Sequence, residues 1–462
     1  MKGVRERLMQ PVDAASLGVF RICFGLMMAG GSLRFLLKGW VDELYVVPEY
    51  HFTYFGFEWV RVLPSFWMHA LFIALIVLGL MVAAGLFYRA AIVSFFVIFT
   101  YVELIDKTNY LNHYYFISLI AFLMIWLPAG RVWSLDALRR PDRAVDQVPA
   151  WCMWCLRLQM GVLYFFAGLA KVNPDWLFQA EPLGTWLRAN AGLQGIGSLL
   201  GHSFTAYFMS WSGMIYDLTI PFWLLWSRSR PFAYATVIFF HFTTAMLFYI
   251  GMFPWVMMVC TLLFFPPDWP RPWVKRFATW FGSRRLAEAT GSPGNRLARI
   301  TFPNAVIWGM GLFFLVQLVL PMRYLLYPGN VLWHEQGFRF SWRVMLVEKT
   351  GHAEFRVVDR RDGRQWRVDP AAFLTLQQRK MMSTQPDMIL EFAHFLGDHY
   401  AMRGCAEPAV FADVWVSWNG RRARRLIDPE VDLFRERESL LPKHWILPEP
   451  ESAARVRSLT RQ

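Results

Sequence analysis

The feature that most constrains this chain is a series of apolar runs, each close to the roughly 17–25 residues that a helix needs to cross a bilayer. About nine such runs occur, near 16–36, 68–88, 90–106, 112–128, 151–171, 205–226, 232–250, 252–266 and 302–321. Two pairs, 68–88 with 90–106 and 232–250 with 252–266, are separated by a few residues and read as tight helical hairpins. The run at 252–266 is the shortest. Composition points the same way. Of 462 residues, 56% are hydrophobic and only 18% charged, where a soluble domain carries about a quarter. The 23 Trp and 41 Phe suit interfacial belts and packing inside the membrane.

A net charge of +13 on a soluble protein would suggest nucleic acid. Here the basic residues lie in loops and in the C-terminal third, and they do not interleave with aromatics in any nucleic-acid motif. They read instead as topology signals and contacts to anionic headgroups. Arg131, Arg139, Arg140 and Arg143 follow the fourth run, and Arg228 and Arg230 the sixth. Lys275, Arg276, Arg284, Arg285, Arg296 and Arg299 separate the eighth from the ninth. With nine spans and the N-terminus inside, all three clusters fall on the cytoplasmic side. The segments 37–67, 106–111 and 172–204, Gly251 and everything after about Met322 then fall outside. The first run has no small-residue cleavage site and reads as a retained span.

After residue 321 the chain changes character. Glu354–Val358 and Gln365–Val368 alternate like strands around Asp362-Gly363, and a second hairpin turns at Asn419-Gly420, between Val414–Trp418 and Arg421–Ile427. Residues 371–402 read as helical. The predicted architecture is an all-α polytopic membrane bundle of about nine transmembrane helices, residues 1–321. A smaller extramembrane α+β domain, residues 322–462, follows on the outer face. Of five cysteines, Cys152 and Cys155 form a CxxC, but no second pair completes a zinc site, and the context is a helix entering the membrane. Scattered histidines and the lack of an HxxxH or paired carboxylates argue against a metal site.

Ionisable groups inside spans are costly and mark functional candidates. Lys171 closes the fifth run in Tyr164-Phe-Phe-Ala-Gly-Leu-Ala-Lys171-Val-Asn-Pro-Asp175-Trp176. Burial disfavours the charged amine, which suits a general base. From position alone, a lysine snorkelling at a helix end is the commoner case. Asp106-Lys107-Thr108-Asn109-Tyr110-Leu111-Asn112-His113 joins two spans on the same side. There His113 can donate a proton or hold an oxyanion, and Asn112 can bond a carbonyl; a capped turn explains the segment equally well. His241 sits mid-span, where a lone histidine is most often an interhelical hydrogen-bonder. Arg157 is expected to pair with Asp217 or Glu103, and Arg21 to serve as a structural partner of a neighbouring helix.

Five stretches together resemble the vitamin K-dependent γ-glutamyl carboxylases and their bacterial relatives with a horizontally transferred transmembrane domain. They are Leu17-Gly-Val-Phe-Arg-Ile-Cys-Phe-Gly25, Asp106-Lys-Thr…Asn112-His113, and Leu156-Arg-Leu-Gln159…Tyr164-Phe-Phe-Ala-Gly-Leu-Ala-Lys171…Asp175-Trp176. The last two are Phe240-His241…Ile250-Gly-Met-Phe253 with Asp268-Trp-Pro-Arg271, and Phe340-Ser-Trp342-Arg-Val-Met345. They run in family order over residues 15–350. The resemblance implies that a buried lysine, here Lys171, deprotonates a reduced vitamin K or menaquinol-type naphthoquinol. The anion captures O2 and collapses through an epoxide to a stronger alkoxide base. That base takes a γ-proton from a peptide glutamate, and the carbanion attacks CO2. The resemblance implies that Lys171 and His113 are catalytic and that Asn112, His241, Tyr164 and Trp342 bind quinone or substrate.

Two positions depart from the animal enzymes. Ala170 stands where they carry a second lysine, and Val347-Glu348-Lys349 where they carry a histidine linked to glutamate handling. The expected protein is thus a carboxylase-like multi-pass enzyme of a bacterial inner membrane, with the bilayer and a glutamate-containing peptide as partners. The alternatives are a quinol epoxidase or oxidase that does not carboxylate, and a non-catalytic transporter or scaffold.

Overall fold

The structure, a computed structural model, describes residues 2–248, 250–280, 296–298 and 304–449. Apolar helices occur where the runs do: α1 (Ala15–Leu37), α2 (Ser65–Ala84), α3 (Tyr88–Ile105), α4 (Asn112–Trp126), α5 (Trp151–Ala170), α6 (Ser203–Leu225), α7 (Arg230–Leu247), α8 (Phe253–Thr261) and α9 (Asn304–Val319). Nine membrane crossings are not confirmed by these helices. Among the described residues, five stretches are long and apolar enough to span: α1, α2, α3, α5 and Trp308–Leu326, in which α9 runs on into a 3₁₀ turn. Two of the others, α4 and α8, are apolar but short. The 15 residues of α4 rise about 22 Å, against a hydrocarbon core of about 30 Å. The polar residues of α6 and α7, such as Ser203, Thr205, Asp217, Arg230 and His241, keep those two out of the apolar set. Arg284, Arg285 and Arg299 of the predicted charge cluster lie outside the described residues.

The first two helices meet at glycines. A Cβ on Gly25 would lie 2.4 Å from the Ala83 nitrogen and 2.5 Å from the Gly79 carbonyl oxygen. Backbone therefore packs directly on backbone, the close approach that small residues permit in lipid. Arg21, fully buried on α1, holds the far end of this bundle together. Its guanidinium donates to the carbonyls of Ala129, Val132 and Trp133 at 2.8 Å and to that of Ala83 at 3.2 Å. It satisfies peptide groups freed where α2 and α4 end, which is the structural role expected of it. Arg157 does not pair with Asp217 or Glu103. It donates to the carbonyls of Leu263 and Phe265 at 2.7 and 3.1 Å, where the chain leaves α8. The 14 residues from Arg157 to Lys171 put it about 21 Å along α5 from the lysine that does pair with Asp217.

A two-stranded ribbon, β1 (Pro11–Asp13) with β2 (Gln147–Pro149), ties the start of α1 to the start of α5. The C-terminal region forms an antiparallel sheet of β3 (Lys349–Asp359), β4 (Gln365–Val368), β5 (Pro408–Trp418) and β6 (Arg424–Arg425), in the order β4-β3-β5-β6. Both predicted hairpin segments are present, but the long central pairing is β3 with β5, from Lys349 opposite Trp418 to Asp359 opposite Pro408. Alternation turns Phe355, Val357, Val410, Ala412, Val414 and Val416 to one buried face. Against it pack Ile389, Phe392, Ala393 and Leu396 of α11 (Pro386–Met402), which follows α10 (Leu376–Met382). These two helices occupy the stretch read as helical.

The glycine contact yields a test. Gly25→Ala must push α1 from α2 and is expected to cost about 1–3 kcal/mol. Thermal unfolding in detergent should show that loss, while Gly30→Ala, whose added methyl meets nothing within 4 Å, should show none.

Candidate functional site

Two cavities lie where the bundle meets the sheet region, and they share the wall formed by Ile250, Phe253, Val344 and Met345. The larger, about 540 Å³, holds His113, Asn112, Tyr114 and Arg34; the smaller, about 80 Å³, holds Lys171, Asp217, Tyr164, His241 and Trp176.

Lys171 caps α5 and is buried. Its Nζ donates to Asp217 Oδ2 of α6 at 2.7 Å and to the Ala167 carbonyl at 3.3 Å, and lies 5.4 Å from the centre of the Trp176 ring. A glycine makes the meeting possible: a Cβ on Gly168 would come 2.7 Å from the Leu218 nitrogen, so α5 and α6 touch backbone to backbone beside the pair. After Lys171 the chain must reverse. Asn173 caps the next short helix through Oδ1, which accepts from the Trp176 amide, and Pro174 sits in the first turn where its missing N–H costs nothing. That turn swings Trp176 under the lysine. Trp176 Nε1 is then fixed by the Ser210 carbonyl at 2.7 Å. Ala170 packs against an apolar cluster that includes Trp176 and Leu183.

Across the smaller cavity, Tyr164 joins His241 Nε2 at 3.1 Å and the Tyr216 hydroxyl at 3.4 Å. With Tyr164 donating to Nε2, His241 Nδ1 carries the proton, and that atom is buried without a partner. His113 stands in the first turn of α4, with its ring 5.9 Å from that of Phe253, and the His241 ring lies 6.0 Å from the same Phe253 ring. Neither His113 ring nitrogen has a hydrogen-bond partner among the described residues.

The wall between the cavities is a strap, residues 340–345, that precedes the sheet. Phe340, Trp342 and Met345 have φ of 60°, 57° and 55°, a left-handed conformation that costs bulky residues about 1–3 kcal/mol each. The strap is held by the first turn of α4 and the residues just before it. Tyr110 accepts the Phe340 amide at 2.8 Å, Asn112 Nδ2 donates to the Arg343 carbonyl at 3.4 Å, and Tyr115 lies 5.0 Å from the Trp342 ring. Asn112 Oδ1 accepts from Tyr110 at 3.1 Å, so its amide is engaged with the strap. Trp342 is fully buried in the bundle core against Tyr115 and Phe116 and lines neither cavity. The structure thus brings Lys171, Tyr164 and His241 together around one cavity and His113 and Asn112 around the other, with Trp342 behind the wall.

The charged residues of the same motifs serve docking. Asp175 accepts two bonds from Arg421, at 2.6 and 2.8 Å, and one from Asn419 Nδ2 at 2.9 Å. Asp106 accepts from Thr108 and from Gln378 of α10. The buried Lys107 ammonium faces Asp387 at 3.2 Å and Glu391 at 2.8 Å, both on α11. Burial pulls Lys107 down, but these carboxylates outweigh it, and its pKa lies above the ordinary lysine value. Near them Glu438 is pushed up to about 7 by burial, with Lys107 pulling the other way. The segment Val347-Glu348-Lys349 is also committed: Trp186 Nε1 donates to Glu348 at 2.6 Å, and Lys349 pairs with Glu335 at 2.6 Å. Sequence reasoning matched Asp217 to the wrong cation and passed over Arg34, an arginine inside the first apolar run.

Known families account for this arrangement. Residues 9–269 match the HTTM domain, and residues 303–452 match the vitamin K-dependent gamma-carboxylase, lumenal domain. The first match alone covers more than half of the chain and defines a membrane protein of the HTTM class. With the second, the chain belongs to the vitamin K-dependent gamma-carboxylase family. No solved structure matches it.

Two outcomes are expected. Asp175→Ala takes the carboxylate from Arg421 and Asn419 and should cost about 3–5 kcal/mol, read as faster amide exchange around residues 340–349 and 418–426. Glu438, raised above its ordinary value, favours the folded state at low pH, and that contribution is lost as pH rises from about 4.5 through about 7. Glu438→Gln should therefore gain thermal stability over the parent at about pH 8 and lose that advantage at about pH 4.5.

Proposed function

We propose that the protein is a naphthoquinol-dependent γ-carboxylase-like enzyme, with residues 1–321 as its catalytic bundle and 322–462 as an outer domain. The observation that carries this reading is the amine–carboxylate pair of Lys171 and Asp217, buried on the wall of an apolar, aromatic-lined cavity. Such a wall fits a flat, lipid-soluble ring. Tyr164, Trp176, Phe240, Phe248 and Phe253 supply the faces, and Met257 and Met345 the adaptable edges. A small-molecule site usually occupies about 300–1,000 Å³, more than the smaller cavity alone. A ring would therefore need the shared wall of Phe253 and Met345 to give way beside Lys171.

When bound, the reduced quinone supplies, with O2, a base stronger than any side chain. The protein's own work is to start and shelter that chemistry. Lys171 Nζ passes a proton to Asp217 Oδ2: one N–H bond breaks, one O–H bond forms, and both groups become neutral. In a site without water the ion pair has little solvation to lose, which makes this transfer feasible. The neutral amine would then be the base toward a hydroxyl of the bound quinol. His241, with Nδ1–H unfilled, and His113, with free ring nitrogens, would supply hydrogen bonds or a proton to negative charge developing there. Asn112 acts by holding the strap beside the ring. Dryness matters because a strong base must not meet water. In this reading the peptide glutamate and CO2 enter from the face covered by the sheet region, taken as the outer face of a bacterial inner membrane.

Quinol epoxidation without carboxylation is the second reading. The engagement of Glu348 and Lys349 in packing contacts favours it, since neither is left for glutamate handling. Peptides co-expressed with the protein should show the mass gain of CO2 if the first reading holds.

Lys171→Ala is expected to abolish epoxide formation in membranes given reduced quinone and O2. Asp217→Asn should lower it by about 10²-fold or more. Retention of epoxide formation by the alanine variant would remove Lys171 from its role.

A further inference from the structure

The larger cavity contains a cation that the reading above does not use. Arg34 lies in the last turn of α1 and lines this cavity together with His113 and Asn112. No carboxylate lies within ion-pair distance of it among the described residues. Its Nε is buried and has no hydrogen-bond partner. Its neighbour is Trp40, whose ring centre is 5.1 Å from Cζ. Glu43 also lines the cavity but is exposed and makes no ion pair with Arg34.

Arg34 and His113 look onto one bare patch of backbone. A Cβ on Gly251, where φ is 62°, would meet Arg34 Nη2 at 3.7 Å and His113 Nε2 at 4.0 Å. A half-buried guanidinium that lines a cavity with no counter-charge in reach is a ready site for an anion. Its planar fork matches a carboxylate through two parallel bonds. The cavity is also lined by Gln377 and Met381 of α10, so it adjoins the region from which the reading above brings the peptide.

We infer that Arg34 is the carboxylate anchor of the acceptor site: it binds the side-chain carboxylate of the incoming glutamate beside His113 and rejects the uncharged amide of glutamine. This rests on the carboxylase-like reading and deepens it by assigning the group that selects the acceptor. Neutral glutamine would leave the guanidinium unpaired, which is the basis of the discrimination.

The test measures binding and needs no turnover. The full-length protein in detergent is titrated with a short fluorescein-labelled glutamate peptide and with its glutamine counterpart, read by anisotropy. The parent should bind the glutamate peptide roughly ten- to hundredfold more tightly than the glutamine one. Arg34→Gln should lose that preference, and Arg34→Lys, which keeps the charge but not the fork, should retain part of it. Thermal unfolding of both variants identifies any that fails to fold, and the lysine variant then carries the comparison. Equal binding of the two peptides by the parent, or an unchanged preference in a folded Arg34→Gln, overturns the assignment. Loss of epoxide formation in the parent with an Arg34-dependent preference for glutamate would instead overturn the quinol reading and leave the anchor standing.

Discussion

Everything at this site depends on how the sheet region is fastened to the bundle, and the bidentate pair of Arg421 with Asp175 is the central fastening. Asp175 belongs to the turn that follows α5; Arg421 follows the hairpin turn at Asn419-Gly420. Asn419 adds its own bond to Asp175 and, through Nδ2 and Oδ1, reaches the Leu346 carbonyl and the Glu348 amide. One turn therefore fixes both the lysine-bearing end of α5 and the chain that leaves the strap. Lys107, between Asp387 and Glu391, does the same at the other side of the site. Charges this deeply buried gain little net stability. Their value is geometric, since each has one place where its partners are.

The strap shows what that geometry accomplishes. Three bulky residues in left-handed conformations would relax in a free loop. Here Tyr110, Asn112 and Tyr115 grip one side of it, and the sheet begins four residues beyond Met345. Strain is tolerated because both ends are fixed, and the result is a thin partition that sets Val344 and Met345 between a lysine and a histidine.

Much of this was legible in the sequence, for identifiable reasons. The apolar runs located the helices because hydrophobicity is local and additive. Asn419-Gly420 and Asp362-Gly363 located turns because few residues tolerate the backbone needed there. Lys171, His113 and His241, which line the two cavities, stood out in the sequence because ionisable groups are conspicuous among apolar neighbours. Crossing number was harder to read: α6 and α7 carry polar residues and α4 is short, so an apolar run does not by itself establish a membrane span. Pairing was harder still. Asp217 was noticed but matched to Arg157, because sequence gives no distance along α5. The docking roles of Asp106, Lys107 and Asp175 were hidden for the same reason: their partners lie more than two hundred residues away, in a region with no apolar pattern to link them.

The partition has a consequence for how the two halves of the chain relate. Val344 and Met345 follow the last apolar helix, yet they wall both cavities, and Trp342 is part of the bundle's own core. The sheet region is thus not a cover laid over a finished pocket; it lends the pocket one of its surfaces. Without residues 340–345 the partition would be reduced to Ile250 and Phe253. The separation of the Lys171 cavity from the His113 cavity is in this sense a property of the joint between the halves.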